Sequence, residues 1–473
     1  MHIKILPFEI KKYNDYIILI NPNSANWVVI NNITEKVRYY LLKIKRRKNL
    51  DGIDTGDDDV KKIIDIFSKI DLIDSKKGET ENNFFNYKEK IINPYYFFII
   101  LNDRCNLSCS YCYAFKKNYS NENFENVVQA IQKVINNSGR QIVISFTGGE
   151  PLCEINKIIK IYNEFKFFKR NIRFEIQTNG TLLNNEICCF LKTADFKVGV
   201  SIDGPKAVHD KYRYYKLGQG SFDDTVRGID LLHRHGIPFS TISVVHSGNI
   251  SYISKIVKFL LTINDKDFAL NLLYPLGNKF NNYKGLLPSS ADVFTAMKKV
   301  IQLIIQNNMN KSQKHWVTEV NLGILLTNIM TKERPSMCYR SPCGAGIDCL
   351  TITPEGLIYP CPQFYFLRRN SKRFLLGELY NNNINDLLNR KQRNNLSERT
   401  VKDIPQCNLC EWKYICCGGC SAVSYELKGD MYHKSIYCRY YKLMIPYLID
   451  KVVTNQYDPY MLLPKFVTRK INE

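Results

Sequence analysis

Cysteine is the residue type with the most chemistry to offer here. The chain has 473 residues and 16 are cysteines, more than an ordinary cytosolic enzyme carries. Residues 1–7 show no apolar stretch followed by a small-residue cleavage site, so secretion is not expected. The cysteines therefore read first as metal ligands and second as disulfides. Cys105, Cys109 and Cys112 stand at C-x3-C-x2-C spacing. Three thiolates so close in sequence can hold three irons of a 4Fe–4S cube and leave the fourth iron open. A tetrahedral zinc site wants a fourth protein ligand close by, and no His lies near this loop. A second set comprises Cys343, then twelve residues, Gly356, four residues and Cys361. It continues as Cys407-x2-Cys410-x5-Cys416-x3-Cys420 and ends at Cys438. A zinc ribbon could use the four thiolates of 407–420, but it would leave Cys343, Cys361 and Cys438 unexplained.

The elements that must position these residues can be read from periodicity. Strand candidates lie at 97–102, 142–146, 173–177, 197–202, 239–245 and 269–274, with helical patterns such as 154–165 and 222–233 between them. Six βα units predict an α/β fold with a parallel sheet curled toward a barrel. Because eight units complete a TIM barrel, the expectation is a partial (β/α)6 TIM-like barrel over 93–310 with an open side. The first cysteine loop directly follows the first strand, which places it at the C-terminal, active face. Residues 1–90 read as a small N-terminal α+β module. It has β-rich runs at 16–20 and 27–31 and a helix with Val37, Tyr40, Leu41 and Ile44 on one face. A second helix carries Val60, Ile63, Ile64 and Phe67 and starts near Asp57–Asp59. A polar linker is expected at 76–83. From about Met337 cysteines become dense and strands short, so 337–440 reads as a metal-stapled domain. Residues 441–473 read as an apolar-rich helix and an extended tail.

At this point the residues resemble a family. Cys105-Asn-Leu-Ser-Cys109-Ser-Tyr-Cys112 is similar to the cluster loop of the radical S-adenosylmethionine (SAM) superfamily. Further motifs follow in the family's order, each at a strand end: Thr147-Gly148-Gly149-Glu150-Pro151, Gln177-Thr178-Asn179-Gly180, and Ser201-Ile202-Asp203-Gly204-Pro205 with Asp210 and Arg213 after it. The resemblance implies that the segment of Gly148, Gly149 and Glu150 binds the amino group of SAM's methionine part. It also implies that Asn179 belongs to the SAM site, that Ser201 and Arg213 hold its ribose and carboxylate, and that Tyr111 lies against adenine. Glycines let backbone approach a partner closely, and arginine offers a forked, permanently charged match to a carboxylate.

The C-terminal pattern resembles the SPASM extension of that superfamily, which carries two auxiliary 4Fe–4S clusters. The resemblance implies Cys343, Cys361 and Cys420 as ligands of the first. Cys349 completes it in the preferred reading and Cys338 in the weaker one. Cys407, Cys410, Cys416 and Cys438 are implied as ligands of the second. Cys153, Cys188, Cys189 and Cys417 are expected to be small buried hydrophobes. The implied cofactors are three 4Fe–4S clusters and SAM. The implied activity is cleavage of SAM to a 5′-deoxyadenosyl radical.

The segments 342–346 and 353–364 look like those of thioether-forming (SCIFF-type) maturases of ribosomally made peptides, which implies Cys thioether crosslinking. Residues 1–90 resemble modules that bind a precursor's leader peptide by adding a strand to a hairpin edge. The alternative is an anaerobic sulfatase-maturating (formylglycine-generating) enzyme. Such enzymes carry an Asp directly after the second cysteine, where this chain has Pro362 and then Gln363. That departure leaves no clear general base; Glu150, Asp203 and Tyr274 are candidates.

Composition bounds the rest. Lys and Arg number 66 against 45 Asp and Glu, a formal +21, which thiolates bound to iron would reduce. The lysines are dispersed, without the basic, aromatic-laced stripe of a nucleic-acid binder, so no nucleic-acid partner is expected. No apolar run is long enough to span a bilayer. The expected location is cytoplasmic. The expected partners are a precursor peptide and an electron donor such as a flavodoxin or ferredoxin.

Overall fold

The computed structural model describes residues 3–13, 16–31, 33–73, 94–114, 128–129, 131–132, 141–168, 172–263, 267–277, 284–331, 333–378, 396, 398–454 and 458–464. The linker expected at 76–83 lies outside them. The chain forms two compact units: residues 1–91 with 401–418, and residues 92–400 with 419–473.

In the first unit, strands β1 (Glu9–Lys12), β2 (Tyr16–Ile20) and β3 (Trp27–Asn31) form an antiparallel sheet in that order. Two helices follow, Glu35–Arg47 and Asp58–Lys69. Thr34 caps the first by accepting from Val37 N, and Asp57 caps the second by accepting from Asp59 N. The register sets Ile17 opposite Ile30 and Leu19 opposite Val28. Ile17 and Leu19 then join Leu41, Ile44, Val60, Ile63 and Phe67 in one buried core. The other face of β2, Tyr16, Ile18 and Ile20, is equally buried. The segment 401–418 belongs to this unit, and Lys11 of β1 pairs with Glu411 at 2.6 Å. The compact units thus cut through the stretch that sequence alone groups as 337–440.

The second unit is built on a nine-stranded sheet among the described residues, in the order β12-β11-β10-β4-β5-β6-β7-β8-β9. Strands β4 (Tyr95–Ile100), β5 (Ile142–Thr147), β6 (Ile172–Thr178), β7 (Lys197–Ser201), β8 (Phe239–Val245) and β9 (Phe268–Leu272) run parallel, each beside its predecessor. They are the six strands anticipated from the pattern. Near-continuous burial of β5 reflects layers on both faces, as parallel sheets require. Helices such as Ile155–Phe165 and Ile253–Ile263 each sink one stripe into a core, Ile158, Ile161 and Phe165 in the first case. A fully buried side chain of this kind contributes about 1.5–3 kcal/mol.

Short strands β10 (Cys349–Ile352), β11 (Leu357–Tyr359) and β12 (Gly377–Glu378) extend this same sheet. β10 lies parallel to β4, and the other two turn antiparallel. The cysteine-rich region is therefore continuous with the barrel sheet. The C-terminal helix Cys438–Val453 packs against helices Ser290–Asn308 and Val320–Met330. Among the described residues no helix is long and apolar enough to cross a membrane.

Candidate iron–sulfur and SAM site

The loop after β4 carries the first three cysteines. Leu107, Cys109, Tyr111, Tyr212 and Leu273 form a buried cluster, and Cys105 and Cys112 pack against it. Burial pushes the Cys105 thiol up to about 12, against a hydrogen bond from Leu107 N. A thiol so desolvated loses its proton only when a strong Lewis acid, such as an iron ion, binds the sulfur as thiolate. Asn179 Nδ2 lies 3.8 Å from Cys105 Sγ and 2.9 Å from Asn106 Oδ1, while Asn106 Nδ2 donates to Thr181 Oγ1 at 2.8 Å. The Asn179 segment at the end of β6 is thus fastened to the cysteine loop. The part played by Asn106 was not anticipated; its place directly after Cys105 was the available signal.

The Gly-Gly-Glu segment at the end of β5 serves the chain's own backbone. A Cβ on Gly149 would stand 2.0 Å from Arg104 O, and Gly148 has φ +119°. Gly149 N donates to Asn102 O at 3.2 Å and Glu150 N to Arg104 O at 2.8 Å. The close approach argued for a ligand is made here by the cysteine loop itself. Glu150 is 1% exposed and accepts from Thr178 Oγ1 (2.6 Å), Asn179 N (2.7 Å) and Leu152 N (3.1 Å). Burial outweighs these bonds and raises its carboxyl to about 7.

At the end of β7, Ser201 Oγ accepts from Gln177 Nε2 at 3.0 Å. Arg213, expected at a carboxylate of SAM, donates through Nε to Asp203 Oδ2 at 3.0 Å in a buried pair. Tyr111 also donates to Asp203, and the Arg213 guanidinium sits 5.6 Å from the Tyr111 ring centre. Asp203 Oδ1 accepts from Val244 N at 3.0 Å. Burial alone would raise Asp203, but Arg213, His209 and these hydrogen bonds hold it below the usual carboxylate range. Tyr111 and Arg213 thus meet on Asp203, with no face of either committed to adenine or carboxylate in this arrangement. None of the three candidate bases stands free: Glu150 is saturated with donors, Asp203 is paired, and burial holds the Tyr274 hydroxyl far above its ordinary range.

The second unit brings Cys343, Cys349, Cys361 and Cys420 within electrostatic reach of one another; Cys361 responds to the other three. Cys349 opens β10, is fully buried and donates to Pro360 O at 3.1 Å. Cys361 precedes the short helix Pro362–Tyr365, and its thiol lies 3.4 Å from Gln363 Oε1. Cys338 is exposed yet feels Cys343 and Cys420. Cys343, Cys361 and Cys420 share an apolar cluster with Cys112 of the first loop, built from Ile100, Ala114, Leu276 and Phe366 among others.

In the first unit, Cys416 is raised by burial first and then by Cys417, Cys410 and Cys407. A Cβ on Gly418 (φ +74°) would stand 2.5 Å from Ile404 Cδ1. Cys438 heads the C-terminal helix in the second unit. Of the cysteines read as buried hydrophobes, Cys188 and Cys417 are buried, whereas Cys153 and Cys189 are exposed. Helix faces explain the last difference, since Cys188 points to the core and its neighbour Cys189 outward, 3.9 Å from His235 Nδ1.

Among the described residues no three His, Cys, Asp or Glu side chains converge as a mononuclear metal ion demands. The donor sets are all sulfur and buried or half-buried, which suits iron–sulfur clusters whose irons occupy separate corners.

Comparison with known proteins settles the family. Residues 99–260 match the Radical SAM superfamily, and residues 343–411 match the SPASM iron–sulfur cluster-binding domain. An uncharacterised protein of Methanocaldococcus jannaschii is 35% identical over 262 residues, 55% of this chain and 82% of that one. This chain is a radical SAM enzyme with a SPASM domain. A cysteine-type anaerobic sulfatase-maturating enzyme of Clostridium novyi is 26% identical over 74% of this radical SAM chain and 93% of its own length. In fold, the chain is similar to the sulfatase maturase anSMEcpe with bound AdoMet and a peptide (TM-score 0.65, 22% identity, 76% of this chain and 98% of that one). It is similar also to Streptococcus suis SuiB bound to precursor peptide SuiA (TM-score 0.57, 16% identity, 93% of this chain and 100% of that one).

Proposed function

We propose that this radical SAM enzyme matures a ribosomally synthesised precursor peptide by joining a cysteine sulfur to a carbon of the peptide. The thioether part rests on the likeness of segments 342–346 and 353–364 to thioether-forming maturases, and the precursor-peptide part on the extent of the SuiB likeness. It spans 93% of the chain against 76% for the sulfatase maturase, so it takes in far more of the chain than the barrel and SPASM region shared with the maturase. The three-stranded sheet of residues 1–90 has the strand edges by which a leader peptide would add. When bound, a reduced cluster and SAM supply the radical that takes hydrogen from an unactivated carbon.

In this reading Cys105, Cys109 and Cys112 hold the SAM-binding cluster. Asn179 tunes the Cys105 sulfur by donating to it, and Asn106 holds the Asn179 amide in place by accepting from it. Cys343, Cys349, Cys361 and Cys420 hold the first auxiliary cluster, and Cys407, Cys410, Cys416 and Cys438 the second. The auxiliary clusters suit a product that must lose an electron, as thioether formation does. Gly148, Gly149 and Glu150 seat the cysteine loop under SAM's amino group, and Ser201 lies at its ribose. Tyr111 lies at adenine and Arg213 at the carboxylate, both anchored on Asp203.

Sulfatase maturation is the second reading, favoured by the relatives at 26–28% identity. The residues after Cys361 speak against it: proline and an amide cannot serve as the carboxylate base of those enzymes. Reconstituted protein, reductant and SAM, incubated with a short cysteine-containing precursor peptide such as one encoded beside the gene, should yield 5′-deoxyadenosine. The peptide should lose two hydrogens and one alkylatable thiol. Formylglycine in a sulfatase peptide, with the neighbouring peptide unchanged, would establish the second reading instead. Deleting residues 1–90 should abolish leader binding; unchanged affinity would refute that part.

A further inference from the structure

Two tyrosines of the second unit stand between its two cysteine sets. Tyr113 directly follows Cys112, and it lies within electrostatic reach of Cys112 and of Cys361 in the auxiliary set. Tyr274 stands two residues past β9, within reach of Cys420 and Cys338. Cys112, Tyr274, Cys343, Cys361 and Cys420 pack around one apolar cluster that includes Ala114, Leu276 and Phe366. The Tyr113 ring meets the Phe366 ring edge-on at 5.3 Å. A Cβ on Gly277 would stand 2.3 Å from Tyr113 O, so the segment after Tyr274 lies directly on the backbone of Tyr113.

The backbone here is pinned, yet neither hydroxyl is used. Leu273 N donates to Val245 O at 2.9 Å and Leu276 N to Tyr274 O at 2.9 Å. Tyr437, the neighbour of Cys438, donates to Leu273 O, and its ring lies 5.7 Å from that of Tyr274. Among the described residues no hydrogen bond reaches the hydroxyl of Tyr113 or of Tyr274. Tyr113 is 38% exposed and Tyr274 is half-buried. Even so, desolvation pushes Tyr113 up to about 12 and Tyr274 well above its ordinary range. A phenol that solvent can touch and that protein still desolvates lines a recess, since a convex face would leave it in water. A binding recess is mostly apolar and aromatic, with a few convergent polar groups left for the ligand.

We infer that the Tyr113 and Tyr274 hydroxyls donate hydrogen bonds to backbone carbonyls of the substrate peptide, beside the residue to be modified. The occupant follows from the chemistry on the two walls. The reacting carbon must approach the cysteine loop that serves SAM, and the electron lost on crosslinking must reach the auxiliary cysteines. The peptide therefore lies between the two sets, where these tyrosines stand. Both hydroxyls keep their protons at neutral pH, so they serve as donors and not as bases. Every peptide residue offers a carbonyl, so the contact fixes the position of the backbone whatever side chains flank the site. It thereby sets which carbon meets the radical. The inference deepens the proposed function; it rests on that reading's clusters and peptide substrate, and not on the thioether.

The test uses the full-length, cluster-loaded protein and two fluorescently labelled probes, a short cysteine-containing precursor peptide and a cysteine-containing sulfatase peptide. Tyr113→Phe and Tyr274→Phe keep each ring and remove only the hydroxyl. Each should weaken binding of the probe that is modified by roughly fivefold, the worth of about one hydrogen bond. Each should also raise the amount of 5′-deoxyadenosine formed per modified peptide, while iron content and SAM affinity stay at the unaltered protein's values. Unchanged peptide affinity and coupling in either variant would overturn the inference for that tyrosine. Loss of iron or of SAM binding would overturn it by marking the hydroxyl as a support of the cluster site. The same peptide loss from Tyr252→Phe, an exposed tyrosine outside these clusters, would overturn it too. Should only the sulfatase probe be modified, the thioether reading falls, and fivefold weaker binding of that probe still supports this inference. Binding of neither probe to the unaltered enzyme would sink the functional reading and this one together.

Discussion

Asn179 reaches across from the end of β6 to the cysteine loop, placing its amide nitrogen 2.9 Å from Asn106 Oδ1 and 3.8 Å from Cys105 Sγ. The same side chain accepts from Thr181 N at 3.0 Å and Thr181 Oγ1 at 2.7 Å. Asn179→Leu keeps the volume and removes these bonds. It should cost roughly 1 kcal/mol per buried bond lost. It should also make the cluster harder to reduce, because hydrogen bonds to sulfur stabilise the reduced form. A redox titration of the loaded protein checks this; an unchanged midpoint would show that the sulfur contact carries no electrostatic weight.

Gly149→Ala should damage the site more than any exchange on its surface. The added Cβ would stand 2.0 Å from the Arg104 carbonyl oxygen. Both sides of that contact are backbone, so neither can swing away. Overpacking costs typically about 1–3 kcal/mol and more where nothing yields. The expected outcome is loss of the first cluster, read as roughly four fewer irons per chain, with the auxiliary clusters retained. Full iron content would mean that the loop relaxes.

Two thiols compete for the last place on the first auxiliary cluster. Cys349 is fully buried beside Cys361, whereas Cys338 is exposed. Cys349→Ala should lower iron from ~12 toward ~8 per chain, and Cys338→Ala should leave it at ~12. The reverse pattern would move the assignment to Cys338.

Much of this was legible because the motifs fall where strands end. The apolar runs alternating with helical patterns that predict β4 to β9 set Cys105, Gly149, Asn179 and Ser201 at successive strand ends, on one rim of the sheet. The rest depended on contacts distant in sequence. Strands β10 to β12 have four, three and two residues, too short for an alternation to show, so their joining to β4 could not be read. Nothing near Tyr111 or Arg213 announced that both would settle on Asp203. Nor does the sequence of 401–418 reveal that it folds with residues 1–91, because Lys11 and Glu411 meet only once the fold is made.

Glu319 offers a pH test away from the clusters. It is 1% exposed and caps the helix Val320–Met330, accepting from Leu322 N at 2.7 Å and, across to β9, from Leu270 N at 2.7 Å. Burial raises its carboxyl to about 7 despite these bonds. The folded value lies above the unfolded one, so the folded state binds more protons. The stabilising contribution is complete below about pH 4.5 and fades as pH rises through about 7. Glu319→Gln should flatten the stability profile across that window by about 3 kcal/mol. Urea denaturation at several pH values checks it; a profile unchanged by the substitution would place the titrating group elsewhere, with buried Glu150 next in line.

Removing iron should loosen the segment 401–418 and, with it, strands β1 and β2, which are remote in sequence from every SPASM cysteine. The segment 401–418 holds two single helical turns, Val401–Asp403 and Lys413–Cys416. Yet Val401, Ile404, Trp412 and Ile415 are all at most 2% exposed, so they cannot be buried by the segment alone. The Lys11–Glu411 pair is partly exposed, 40% and 16%, and holds the segment by no more than about 1 kcal/mol. Metal bound at Cys407, Cys410 and Cys416 would then be a large share of what orders it. Chelation should raise hydrogen exchange in 401–418 and in β1 and β2, while amides of β5 to β8 keep their protection. Equal protection of β1 and β2 with and without iron would show that the N-terminal sheet stands without the segment.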